Sequence, residues 1–141
     1  MEYDRADKEV AEMSKIKVNE QRAVDEFQEL TAIDAPSFGE RQMADRLIVK
    51  LKELGFEVEE DNAGKHFGGN AGNLYAYLPG DSVLLSGHMD TVEPSKGKKG
   101  IIGEDGVIRS AGKAVLGADD VAGLVEILEG IRSVKEAGVP H

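Results

Sequence analysis

The stretch VLLSGHMDTVEP, residues 83–94, decides how the chain folds. Val83, Leu84 and Leu85 form an apolar run without alternation, the pattern of a strand covered on both faces in an α/β sheet. With serines at either end, the run predicts a strand over residues 82–86. A histidine and an aspartate follow two positions apart, His88 and Asp90. If the strand continues, residues two apart project to one side. In open α/β sheets, ligands bind beyond the carboxyl ends of the strands, which is where this pair falls.

Upstream of this stretch, residues 1–18 are charge-dense and weakly periodic, a charged N-terminal arm or frayed helix ahead of a unit covering 19–141. Asn19 is placed to cap a helix carrying Ala23, Val24, Phe27 and Leu30 at helical spacing. Ser37-Phe38-Gly39-Glu40 has the spacing of a capping box. Behind it, Met43, Leu47, Leu51 and Leu54 form an apolar stripe that Gly55 stops. Residues 56–59 and 73–78 alternate like strands, with Tyr75 and Tyr77 packing on one strand face. His66 lies in the glycine-rich loop between them.

Downstream, Ile101-Ile102 and Val107-Ile108 flank Glu104-Asp105-Gly106, a predicted hairpin. Then Leu116-Gly117-Ala118-Asp119-Asp120 leads into a helix with Val121, Leu124, Val125, Leu128, Ile131 and Val134 on one side. Glu126 and Glu129 fall on its polar side, and Gly138 and Pro140 end it. Together these elements describe an α/β fold, a mixed sheet flanked by helices.

A net charge of −10 argues against nucleic acid or an anionic membrane as partner. No stretch approaches the ~18 apolar residues of a membrane span, and the N-terminus has no apolar signal core. A cytoplasmic location is expected. Cysteine is absent, so a zinc site would have to use histidine and carboxylate.

Two pairs of residues have chemical potential. His88 is a good zinc ligand when neutral, and Asp90 is placed to accept its second N–H and fix the tautomer. The alternative is a polar strand terminus with the aspartate capping a turn. Asp119 and Asp120 open a helix, where acids serve as caps and complement the dipole. Alternatively, one of them is a carboxylate shared by two metal ions. Lys96, Lys98 and Lys99 read as a solvated loop, with attraction of a substrate carboxylate as the alternative. His66 reads as a loop histidine and His141 as a terminal one. No nucleophile elbow, phosphate-binding loop or catalytic cysteine is present.

The segments LTAIDAPSFGE, LKELGFEVEED, GNLYAYLPG, LLSGHMDTVEPSKGKKG and VLGADDVAGLVEILE occur in this order over residues 20–141. The series resembles the zinc-dependent exopeptidase and deacylase family, which includes peptidase T, carboxypeptidase G and the aminoacylases. Its wording is most similar to the peptidase T-like branch, the tripeptide aminopeptidases. The resemblance implies a dinuclear zinc aminopeptidase acting on short peptides, with cobalt or manganese as other ions such a site accepts. It implies that His88 is a ligand of one metal ion, that Asp119 bridges both, and that Asp90 orients His88. It further implies a general-base glutamate from a Glu-Glu pair beyond residue 141, and a homodimer formed through an inserted domain not contained in this stretch. Val121 departs from the family, which usually has a lysine there.

Residues 19–141 are therefore expected to be the N-terminal portion of a catalytic domain, inactive by itself. The alternatives are a carboxypeptidase or N-acyl amino acid deacylase of the same family, or a truncated non-catalytic protein used in binding or assembly.

Overall fold

The computed structural model describes residues 10, 11, 13–80 and 83–139. Most of the expected N-terminal arm, together with Pro140 and His141, lies outside these residues. Helix α1 (Glu20–Thr31) begins where the sequence predicts. Asn19 is extended, and its side-chain oxygen accepts the Arg22 backbone N–H at 3.0 Å. That bond satisfies one of the orphan donors of the first turn.

Helix α2 (Arg41–Glu53) corrects the capping-box expectation. The Glu40 carboxylate accepts the Phe38 N–H at 2.7 Å, while Ser37 Oγ donates to Asp90 Oδ2 at 2.5 Å. An ionised carboxylate attracts a hydroxyl more strongly than a backbone amide does, so Ser37 leaves the helix end. Asn70 caps it instead, its Oδ1 accepting the Arg41 N–H at 2.9 Å. At the other end, Phe56 N–H donates to Leu51 O and Gly55 N–H to Lys52 O, at 3.1 and 2.9 Å. This Schellman closure supplies the stop predicted at Gly55, whose φ is +88°.

Strands β1 (Glu57–Glu60) and β2 (Leu74–Tyr77) pair antiparallel, from Glu57 opposite Tyr77 to Glu60 opposite Leu74. The short helix α3 (Ala63–His66) lies between them and leaves His66 exposed. The predicted hairpin forms from β3 (Gly100–Ile102) and β4 (Ile108–Ser110), and its turn is closed by Gly103 N–H donating to Val107 O at 2.9 Å. Helix α4 (Ala118–Ala137) ends at Gly138, whose φ is +64°.

The α/β class is as the sequence predicts, but the sheet is divided. Among the described residues there are two two-stranded antiparallel sheets and a single parallel bridge, Pro36 to Thr91. The apolar run at 83–85 joins neither sheet. Val83, Leu84 and Leu85 are 78%, 93% and 54% exposed. A doubly covered strand needs other elements packed on both of its faces, and these exposures show that among the described residues nothing covers this run. Tyr75 and Tyr77 are likewise exposed rather than packed.

The core follows the predicted spacings. Leu30 of α1, Met43 and Leu47 of α2, and Val121, Leu124, Val125 and Leu128 of α4 are buried together with Ala35. Helix α1 packs on α4, and α2 on the β1–β2 sheet. Val121 is a core residue.

Charged groups also enter this core. Lys50 Nζ bonds Glu26 Oε1 at 2.9 Å, and Arg132 donates to both Glu26 oxygens at 2.5 and 2.8 Å. One buried carboxylate thus ties α1, α2 and α4. Glu129 is not on a polar face as its spacing suggested but buried. It accepts from Arg22 Nε at 2.6 Å, Arg22 Nη2 at 2.9 Å and the Asn19 N–H at 2.7 Å. The Arg22 bonds outweigh the burial and hold its pKa at about 2. Among the described residues no helix is long and apolar enough to cross a membrane.

Candidate metal centre

Two loops meet at the start of α4. The first runs from Ser86 to Thr91 and is anchored at its far end, where the Thr91 N–H donates to Ala35 O at 2.8 Å. Gly87 passes close to α4. A Cβ there would lie 2.8 Å from Asp120 Oδ2 and 3.2 Å from Leu124 Cδ2, so only glycine fits without displacement. Met89 packs against the core. His88 and Asp90, on either side of it, turn outward together, as alternation in an extended segment requires.

The second loop turns at Gly117, where φ is +76°. Asp119 (φ −92°, ψ 106°) and Asp120 (φ −115°, ψ 30°) are not helical, and the peptide bond between them is cis. The two aspartates separate in role. Asp120 Oδ1 accepts the Gly123 N–H at 3.2 Å, capping the regular part of α4. The Asp119 side chain is 95% exposed and reaches across to His88.

His88 Nε2 lies 3.0 Å from Asp119 Oδ1. On the other side of the ring, Nδ1 lies 3.0 Å from Asp90 O and 3.1 Å from Asp90 Oδ1. Ser37 holds the second Asp90 oxygen. Partial burial favours the neutral imidazole, but the Asp119 hydrogen bond and the Asp90 contacts outweigh it and raise the His88 pKa. Asp90 is held below the usual aspartate range, first by the Ser37 hydroxyl and then, against some burial, by His88.

When the ring is neutral with its proton on Nδ1 towards Asp90, the Nε2 lone pair faces Asp119. Two donors bound to one zinc at about 2.1 Å are about 3 to 3.4 Å apart, so this nitrogen and oxygen suit two positions around an ion. Among the described residues no group of three or more His, Cys, Asp or Glu is arranged to hold a metal. Further donors to a four-coordinate ion would be water or groups outside the described residues.

The structure brings together His88, Asp90 and Asp119. His66 stands apart in α3, and His141 lies outside the described residues. The lysine loop divides. Lys96 and Lys99 are exposed as expected, but Lys98 is 3% exposed and donates to Thr91 Oγ1 at 2.6 Å, which corrects the solvated reading. Sequence reasoning also missed Ser37 as a partner of Asp90. Its misleading signal was a local capping motif that tertiary contact overrode.

No family model matches the chain. It is 39% identical over 128 residues to the uncharacterized protein YqjE of Bacillus subtilis strain 168, an alignment covering 88% of this chain and 34% of YqjE. Among solved structures it is similar to a tripeptidase from Staphylococcus aureus subsp. aureus Mu50, with 40% identity and a TM-score of 0.82. It is also similar to the aminopeptidase PepT from Bacillus cereus ATCC 10987, with 40% identity and a TM-score of 0.81. Each of these matches covers 88% of this chain and 34% of the solved one. The chain shares their fold over that span, about a third of the length of the proteins it matches.

Proposed function

We propose that this chain carries part of the metal site of an aminopeptidase that removes N-terminal residues from short peptides. Its His88 and Asp119 are metal ligands and Asp90 orients His88. The observation that carries this reading is the convergence of His88 Nε2 and Asp119 Oδ1 at 3.0 Å, with Asp90 behind the ring. The similarity to a tripeptidase and an aminopeptidase supports it.

Histidine and carboxylate donors suit zinc, and cobalt or manganese fit the same set. When bound, the metal supplies Lewis-acid polarisation of a carbonyl and a water acidified towards neutral pH. The chain's own residues prepare the place. Asp90 holds a proton on Nδ1, so that loss of the Nε2 proton shared with Asp119 leaves Nε2 to ligate, and Ser37 keeps Asp90 from rotating away. Asp120 takes the capping duty, so both Asp119 oxygens stay available and could serve two ions.

The reading is tested by assaying the full-length protein with zinc on a free-amine tripeptide and on an N-acyl amino acid. Tripeptide cleavage that a chelator abolishes and added zinc restores is the expected result. Turnover of acylated substrates alone would sink the aminopeptidase assignment in favour of a deacylase. One observation favours a second reading, metal binding without turnover: among the described residues no group of three or more His, Cys, Asp or Glu is arranged to hold a metal. Zinc binding with no cleavage of either substrate would support it.

A further inference from the structure

Lys98 is the buried lysine of a loop whose neighbouring lysines, Lys96 and Lys99, are solvated. The chain closes tightly around it. Gly97 N–H donates to Asp34 Oδ1 at 2.8 Å, Ser95 N–H to Glu93 Oε2 at 2.7 Å, and Val115 N–H to Pro94 O at 2.9 Å. Thr91 and Ser95 are themselves 2% and 1% exposed. Inside this wrap the Lys98 ammonium donates to Thr91 Oγ1 at 2.6 Å, and Thr91 Oγ1 donates onward to Ala35 O at 3.4 Å.

The other side of the lysine faces the second loop. A Cβ on Gly117 would lie 3.2 Å from both Cδ and Nζ of Lys98 and 3.1 Å from Thr91 Cγ2. The Lys98 stem and Thr91 are therefore packed against the Gly117 turn, two residues before Asp119. Thr91 directly follows Asp90. One side chain thus contacts both loops that present the candidate ligands, at Thr91, three residues from His88, and at Gly117, two residues from Asp119.

We propose that Lys98 is a positioning residue of the metal site, tying the Asp90–Thr91 turn to the Gly117 turn and so setting His88 and Asp119 at ligating separation. The proposal rests on the metal-centre reading above. Desolvation is the leading cost of this placement and pulls the lysine pKa down, with Asp34 and Glu93 acting the other way. A lysine serving only as filler would be replaceable by an apolar stem at no cost to ligand geometry. A lysine that braces the two turns would not.

The test is zinc titration by calorimetry together with backbone hydrogen exchange of the metal-free chain. Lys98→Met keeps the stem and removes the ammonium. Thr91→Val removes the acceptor, and Thr91→Ser retains it. Lys98→Met and Thr91→Val are each expected to weaken zinc affinity about tenfold, as loss of an outer-shell partner does, with Thr91→Ser at the wild-type value. Exchange is expected to quicken at residues 88–91 and 116–119 while the amides of α1 and α2 keep their protection. Wild-type affinity in Lys98→Met, when Asp119→Ala has lost its zinc, overturns the proposal and leaves the metal centre standing. Wild-type zinc affinity in Asp119→Ala removes the metal centre instead, and with it the positioning role. Protection lost throughout the chain in both Lys98→Met and Thr91→Val would make Lys98 a general core residue and also overturn the proposal.

Discussion

His88 Nε2 meets Asp119 Oδ1 at 3.0 Å although the two residues stand 31 positions apart in the chain. A hairpin and a buried lysine loop lie between them. The contact depends on two anchors, the Thr91 bond to Ala35 on one side and the Gly117 turn on the other. Everything proposed about function depends on this pairing being a pre-organised half-site.

The orientation of the ring should matter as much as the ligands. Asp90→Ala removes the carboxylate acceptor at Nδ1, leaving only the backbone carbonyl of residue 90 there, and should weaken zinc binding about tenfold. Ser37→Ala, which frees one Asp90 oxygen, should cost less than that. Calorimetry on the two variants checks the order. Equal affinity of wild type and Asp90→Ala would mean that Asp90 does not orient the histidine.

Glu129 gives a prediction for stability and pH. Glu129→Gln leaves Arg22 without its buried carboxylate partner and should destabilise the chain by about 2 kcal/mol near neutral pH. The folded pKa is about 2 against an ordinary value of 4.5. Because the folded value is the lower one, the stabilisation is complete above 4.5 and is lost as pH falls through about 2. Denaturant unfolding should show the gap between wild type and variant closing over that window. A gap independent of pH would contradict the role given to this carboxylate.

Helix α2 depends on a distant cap. Asn70→Ala removes the acceptor for the Arg41 N–H and should cost about 1 kcal/mol. Ser37→Ala should not affect α2 through capping, since Ser37 makes no cap. Comparing the two unfolding midpoints separates the observed cap from the local capping box.

Gly117→Ala places a side chain at φ +76° against Thr91 and Lys98. Backbone strain of this kind costs about 1 to 3 kcal/mol. The same substitution should weaken zinc binding, because the added methyl pushes on the turn that carries Asp119. Unchanged stability and affinity would show that the turn has room that the geometry denies it.

Much of the fold was legible because helical periodicity reports which side of a helix is covered. The stripes through Leu30, Met43, Leu47 and Leu124 are core residues as spaced. Periodicity failed for Glu129, since a buried ion pair looks like a polar face until its partner is located. It failed again at Val83–Leu85, where composition describes a doubly covered strand but coverage depends on neighbours. His88, Asp90 and Asp119 were legible as candidates because histidine and carboxylates bordered an apolar run and opened a helix. The division of labour between Asp119 and Asp120 was not legible in residue type, although the family resemblance singled out Asp119. It follows from backbone dihedrals at the helix entrance that residue type does not specify.

The most direct measurement is calorimetric zinc titration of the wild-type chain beside His88→Ala, Asp119→Ala and Asp120→Asn. His88→Ala and Asp119→Ala should each lose at least about a hundredfold in affinity, beyond the cost of losing an outer-shell partner. Asp120→Asn, which retains a capping oxygen, should bind as wild type does. Zinc binding that survives Asp119→Ala, or that falls as far in Asp120→Asn, would contradict the assignment of His88 and Asp119 as the ligand pair.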